Sequence, residues 1–547
     1  MSASSKKKLR NAENLEKLTE KQLAEQKEAK KLKILTTVFV VVLAVMIVAA
    51  VYAAITKTFL NSNTILRKTT AVTIGEHKLS SAELSYFFVD AVSQFYNESG
   101  PYAAMIGLDI SKPLDKQIAD EATGRTWADY FVDNAVANAA SIYALADEAK
   151  QQGYELTEED NTNITNTMGN ASLYAMYGGY SSVDGYLKYM YGNGADRDSF
   201  KAYIELNTLA SSYHAHYAET LEYDDAALKA ESDANETTYN AYSYNTYYMT
   251  TSKFLQGGTT DENGTTTYSD EEKAAAVKAA EEAAASLVNL DSIEDLDKAI
   301  AALDVNKDVE NAASSSCVDY AYSSISTTIR DWVVDTARKA GDSTYIASET
   351  TTTDENGTET TTVNGYYVVY FNECNDNTFP LINVRHILVA FEGGTADANG
   401  NKTYSDAEKK AAQETAEELY KQWKDGEKTE DSFAELANEK SADGDGTTGG
   451  LYEDVYPGQM VTNFNDWCFD DTRKPGDTGI VESPYGYHIM YFVGNSEDTY
   501  RNFLIRNALV SKDTTAWYDA LVDAMEISKI NAKRLPLGMI MSSGTAF

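Results

Sequence analysis

An apolar run from Ile34 to Thr56 holds no charged residue and is rich in Val, Leu, Ile and Ala. At ~1.5 Å rise per residue it crosses a ~30 Å hydrocarbon core, which predicts one transmembrane helix over residues 34–56. Beyond it the spacing becomes that of amphipathic helices broken by polar turns. Val72-Thr73-Ile74-Gly75-Glu76 reads as strand and turn, and Ser80 with Glu83 has the spacing of a capping box opening a helix through about Asn97. Apolar residues three and four apart predict further helices from Thr126 to Gln152, stopped by Gly153, and from Asp198 past Leu209. A loop-rich middle between them, Tyr174 to Tyr191, interleaves Tyr and Met with Gly. Two readings stand side by side here: an adaptable surface for unfolded chains, or packing within the domain's own core.

The second half of the chain repeats itself. Gly257-Gly258-Thr259 through Ser269-Asp270 matches Gly393-Gly394-Thr395 through Ser405-Asp406. Asp331-Trp332 and Arg338-Lys339-Ala340-Gly341-Asp342 match Asp466-Trp467 and Arg473-Lys474-Pro475-Gly476-Asp477, and Gly365 through Phe371 matches Gly486 through Phe492. Each copy reads strand, Asn-Gly loop, Ala/Glu/Lys-rich helix, short helix and final strand, an α+β module. The tail from Thr499 to Ile530 carries Trp517, Tyr518, Leu521 and Met525 at helical spacing, and is expected to pack back onto the first domain.

Charge then fixes orientation. The first 33 residues hold ten Lys/Arg against five Glu, leaving the rest still more acidic than the −38 of the whole chain. The positive-inside rule puts residues 1–33 in the cytoplasm and the bulk outside, as a single-pass membrane protein; a cleaved leader ending near Val51 and Ala53 is the alternative. An acidic exterior excludes nucleic acid and anionic lipid and favours polypeptide partners. Three scattered cysteines, Cys317, Cys374 and Cys468, give no disulfide framework. His214 and His216, two apart, do not suggest a metal site, and Asp443-Gly444-Asp445-Gly446 lacks a full calcium loop, so neither metal nor cofactor is expected.

The second copy carries the chemistry. Val384-Arg385-His386-Ile387-Leu388-Val389, Ser432-Phe433-Ala434-Glu435-Leu436-Ala437 leading to Ser441-Ala442-Asp443, Gly449-Gly450-Leu451, Gly458-Gln459-Met460 with Phe464, and Ser483-Pro484-Tyr485-Gly486-Tyr487-His488-Ile489 together resemble the parvulin family of peptidyl-prolyl isomerases. The resemblance implies His386 and His488 as the paired histidines, Asp443 and Ser483 as their polar partners, and Leu451, Met460 and Phe464 as the pocket for the proline ring. It also implies noncovalent catalysis: rotation about Xaa-Pro breaks amide resonance, a barrier of ~20 kcal/mol, and each ~1.4 kcal/mol of preferential binding to the twisted amide gives tenfold in rate. The first copy departs, with Tyr248 or Thr250 for the first histidine, Tyr367 for the second, and Ile325 and Ile329 for Met460 and Phe464. It is expected to be catalytically inert.

The region before the modules is similar to the helical chaperone domains of secretion foldases of the PrsA and SurA kind, through the Val-x-x-Gly turn, the helix ending at Gly153 before Leu156-Thr157-Glu158-Glu159, and Tyr223-Asp224-Asp225-Ala226-Ala227-Leu228. The expected organisation is a cytoplasmic segment (1–33), transmembrane helix (34–56), helical chaperone-like domain (70–240), degenerate parvulin-like module (241–375), catalytic parvulin-like module (376–497) and C-terminal amphipathic helix (498–547). The expected function is an extracytoplasmic foldase that binds newly translocated polypeptides and isomerises their Xaa-Pro bonds. A holdase without isomerase activity and an envelope scaffold are the rivals.

Overall fold

The computed structural model describes residues 3–60, 62–354, 357–397, 400–444 and 446–530. The chain divides into two compact units, one from residues up to 221 together with those from 512 onward, the other from residues 222–511. Asp445 and the last part of the predicted tail, residues 531–547, lie outside the described residues.

One helix, Ala3–Leu60, runs from the basic segment through the apolar stretch. Its segment Lys30–Ala54 is long and apolar enough to cross a membrane, and none of it is buried. Within that segment the Thr36 and Thr37 hydroxyls return to the carbonyls of Leu32 and Lys33 at 2.8 and 2.7 Å, satisfied inside the helix without water.

The first unit is helical with a small sheet. Reciprocal capping boxes, Ser80 with Glu83 and Thr126 with Asp129, open the helices Ser81–Ala103 and Trp127–Gln151. The first of these outruns the expected end near Asn97. The expected loop-rich middle, Tyr174 to Tyr191, is instead the end of one helix, Glu158–Tyr177, and the whole of another, Val183–Tyr191, with a turn at Gly178 and Gly179 between them. Thr157 and Ser182 cap them, a local signal masked in the sequence by the surrounding glycines. The last long helix, Arg197–Glu219, starts from an Asp196 cap. Phe88, Phe95, Trp127 and Phe131 pack largely edge-on in the core. The Tyr/Met stretch divides: Tyr186 and Tyr191 pack against that core, while Tyr174, Met176 and Tyr177, with Leu173 before them, stand 47–80% exposed.

The C-terminal helix, Tyr500–Asp523, supplies this unit with Trp517, stacked on Tyr217 at 3.8 Å, and with Tyr518, bonded to Ser141 at 2.7 Å. Beyond it the chain forms a strand the sequence did not announce, Ile527–Lys529, antiparallel to Thr70–Ile74 with Ile74 opposite Ile527.

The second unit holds two four-stranded antiparallel sheets with one topology. In the first, Ser315–Ala321 lies beside Ala241–Thr250, then Glu359–Asn375, then Ser343–Thr353; in the second, Leu451–Val455 lies beside Pro380–Ala390, then Gly486–Thr499, then Thr478–Ser483. The repeated residues hold equivalent joints. Glu272 and Glu408 each close a capping box and also accept the N–H of Gly258 or Gly394 at 2.9 Å, clamping the Gly-Gly hairpin to the helix start. Arg338 lies over Trp332 at 4.3 Å and Arg473 over Trp467 at 4.0 Å, each also donating to that tryptophan's carbonyl at 3.0 Å. Arg501, 9% exposed, donates to Ser232, Asn240 and the carbonyls of Glu236 and Asp376, tying the last helix to the starts of both modules.

Candidate active site

In the second sheet, His386 and His488 sit on the two central strands as diagonal neighbours, two residues out of step: His386 faces Met490 and His488 faces Leu388 across the ladder. Period-two alternation sends both rings to one face, with Ile382, Val384, Met490 and Phe492, while Ile387 and Ile489 turn to the helix-covered face. The rings stack, centroids 5.1 Å apart, with Nδ1 to Nδ1 at 3.0 Å. His386 Nε2 lies 3.0 Å from Asp443 Oδ2, and His488 Nε2 lies 2.8 Å from Ser483 Oγ. Tyr452 donates to the same Asp443 oxygen at 2.9 Å.

One proton arrangement satisfies every member. Carboxylate oxygens accept, so His386 donates from Nε2 and, when neutral, accepts at Nδ1. His488 must then donate from Nδ1 and accept at Nε2, which takes the Ser483 hydroxyl proton. Ser483 Oγ in turn accepts from the Tyr485 N–H at 3.1 Å. The chain Ser483, His488, His386, Asp443 therefore runs in one direction with both imidazoles neutral. The electrostatics agree. Burial pushes His488 down to about 4, aided by His386 and opposed by Asp443. Burial likewise lowers His386, with Asp443 pulling the other way.

Phe464, on the short helix Thr462–Cys468, meets both imidazoles edge to face, at 5.4 and 5.3 Å. Behind His386, Gly450 at φ +65° accepts the His386 N–H at 2.9 Å, and a Cβ there would fall 2.2 Å from the His386 carbonyl. The Gly-Gly pair is thus a requirement of close backbone approach.

The structure brings together His386, His488, Ser483, Asp443 and Phe464. Met460 is half-buried against the same cluster as Phe464. Leu451 stands apart, facing Arg385 across the ladder, and it is Tyr452, one residue on, whose ring lies 5.1 Å from His386. Sequence reading missed Tyr452; its signal was alternation, since the residue after Leu451 must face the dyad if Leu451 faces away. Tyr452→Phe is expected to leave the fold intact and lower kcat/KM about tenfold, the worth of one hydrogen bond of ~1.5 kcal/mol to a charged partner, as read in a protease-free isomerisation assay.

The first sheet corrects the sequence alignment. Gly365 pairs with Thr250 as Gly486 pairs with Ala390, so the residue at the His386 position is Thr246, opposite Val369, and not Tyr248 or Thr250. The cause is an extra 3-10 turn, Thr251–Phe254, between that strand and the Gly-Gly hairpin. Tyr367 does occupy the His488 position, packed 4.5 Å from Tyr248, and Ile325 and Ile329 fill the places of Met460 and Phe464. The Thr246 hydroxyl is buried with no partner among the described residues, so no polar chain crosses this face.

A conserved sheet topology, a neutral histidine pair and an apolar helix beside it define the class. Residues 386–494 match the Rotamase family, a PPIC-type PPIASE domain, so this part of the chain is similar to the parvulin-type rotamases. Over 163 residues the chain is 32% identical to Foldase protein PrsA 1 of Listeria innocua and, equally, to Foldase protein PrsA 1 of Listeria monocytogenes, covering 28% of this chain and 46% of each relative. The chain thus spans about half the length of the curated relatives it matches. A crystal structure of peptidylprolyl isomerase PrsA from Bacillus anthracis matches 27% of this chain and 59% of that one, at 24% identity and a TM-score of 0.17.

Proposed function

We propose that this chain is a membrane-anchored foldase that receives unfolded polypeptides outside the membrane and isomerises their Xaa-Pro bonds at the His386–His488 site. The observation that carries the reading is the neutral Ser483–His488–His386–Asp443 chain beside Phe464. A planar amide is polar through resonance; twisting it removes that resonance and leaves a less polar carbonyl and a more basic nitrogen. A dry wall of uncharged imidazoles, with Phe464 and Met460 gripping the prolyl ring, favours the twisted form over either planar one. No charged nucleophile faces the substrate, and Asp443 marks the solvent side, with 39% of its side chain exposed.

In this reading His386, Asp443, Ser483 and His488 form the polar floor and Met460 and Phe464 the prolyl pocket, while Leu451, opposite Arg385 and turned from the dyad, takes no part in it. Residues 70–240 hold clients through exposed groups such as Leu173, Tyr174, Met176 and Tyr177, residues 241–375 act as spacer or peptide-binding module, and residues 376–497 catalyse. Residues 498–547 brace the chaperone-like domain, and the apolar segment within Ala3–Leu60 anchors the chain with residues 1–33 on the cytoplasmic side.

The test is the cis-to-trans rate of Xaa-Pro peptides with the full chain in detergent. Acceleration that Phe464→Ala removes, in a variant shown to be folded, supports the reading. A folded wild-type chain no faster than buffer, over a panel of residues before proline, replaces it with the holdase, which the exposed apolar residues of Glu158–Tyr177 favour.

A further inference from the structure

In the first unit the helices Trp127–Gln151 and Arg197–Glu219 pack together and end side by side. Their ends surround a cavity of about 600 Å³, the size of a small-ligand site, lined by Glu148, Glu155, Tyr154, Tyr213, His216 and Tyr217. Its aromatic wall is fixed. Tyr154 lies 5.4 Å from Tyr213 and 4.9 Å from His216, and its hydroxyl meets Ser212, which donates on to Asp160 at 2.9 Å. Tyr217 is held flat against Trp517.

The charge placement is the unusual part. Two helix C-termini converge here, each with partial negative charge, where cations are favoured. Yet Glu148 sits in the last turn of one helix and Glu155 just beyond it. Among the described residues neither is in an ion pair; Glu148 takes only the Gln152 amide, at 2.9 Å. Glu148 and Tyr213 line the same space, and burial first, the Glu148 carboxylate next, push the Tyr213 phenol above its ordinary value. Carboxylates, carbonyl dipoles and π faces turned to one space attract the same thing, a cation with an apolar stem.

We infer that this cavity binds lysine or arginine side chains of unfolded polypeptide, a client-recognition site apart from the prolyl site. The inference rests on the reading that the chain receives such polypeptides, and is tested without proline so that the two stand or fall separately. The probe is a fluorescein-labelled Gly/Ser peptide carrying two arginines and no proline, titrated by anisotropy into the full chain in detergent. Glu148→Gln with Glu155→Gln is expected to weaken binding about tenfold, near 1.4 kcal/mol. The pair Glu271→Gln with Glu281→Gln, which changes net charge equally on an exposed helix of the first module, is expected to stay within about twofold, the scale of a screened long-range field. Equal weakening by both pairs, no weakening by the first, or no binding by the wild type would each overturn the site, whatever the isomerase assay shows.

Discussion

His386→Ala is expected to lower kcat/KM for an Xaa-Pro peptide about 100-fold, by removing roughly 2.7 kcal/mol of preferential binding to the twisted amide. The size follows from the position of His386 in the hydrogen-bonded chain. Among the described residues its ring is the one link between the Ser483–His488 half and Asp443, and it is 3% exposed. Alanine leaves the His488 Nδ1–H buried without an acceptor and frees Asp443 to follow Tyr452 toward solvent. An unpaired buried donor costs about 1–3 kcal/mol, and the lost ring adds a cavity beside Phe464, so the urea midpoint should fall as well. Because Thr246, Tyr367, Ile325 and Ile329 occupy the first module's equivalent face, no residual activity is expected from that copy. Retention of kcat/KM within about threefold in a folded variant would mean that the dyad is structural and that catalysis lies elsewhere.

What could be read from the sequence was whatever depends on local spacing. The Gly-Gly and Arg-Lys-x-Gly-Asp repeats were visible because each is a self-contained joint: a Gly N–H on a capping-box glutamate, an arginine over its tryptophan. The dyad was visible because both histidines lie in motif pieces whose order is fixed. What required register was not visible. Thr246 was displaced in the alignment by the 3-10 turn Thr251–Phe254, which adds residues without disturbing either flanking motif. Tyr452 was hidden behind Leu451, since which of two neighbours faces the dyad depends on pairing with Val384 or Arg385. The helices over 158–177 and 183–191 were obscured because glycine content reads as loop, whereas Thr157 and Ser182 cap them and tyrosines on one side reach the core. The strand Ile527–Lys529 is short and exposed, and only its partner Thr70–Ile74 specifies it.

Isomerase activity should hold level from about pH 8 to about pH 5 and fail with a midpoint near 4, well below the ~6.5 of an ordinary imidazole. Burial is the first cause of the depressed His488 value of about 4, and burial likewise lowers His386. The hydrogen-bonded chain adds a structural reason for His386: its second proton would sit on Nδ1, 3.0 Å from the His488 Nδ1–H, whereas a second proton on His488 would sit on Nε2 and turn the Ser483 hydroxyl to the Gly486 carbonyl at 3.2 Å. The sign for stability follows. Between about 6.5 and about 4 the unfolded chain binds a proton on His488 that the folded chain refuses, so its contribution is complete above 6.5 and is lost as pH falls through 4, and His386 acts in the same direction. For His488 alone the shift corresponds to about 3 kcal/mol. His488→Gln keeps amide donors and acceptors and cannot titrate, so its stability should vary less between pH 7 and pH 4.5 than that of the wild type. A rate midpoint at 6.5, or equal pH dependence of stability in the two proteins, would show that the folded site admits a charged imidazole, and the twisted amide would then be stabilised by charge and not by a dry neutral wall.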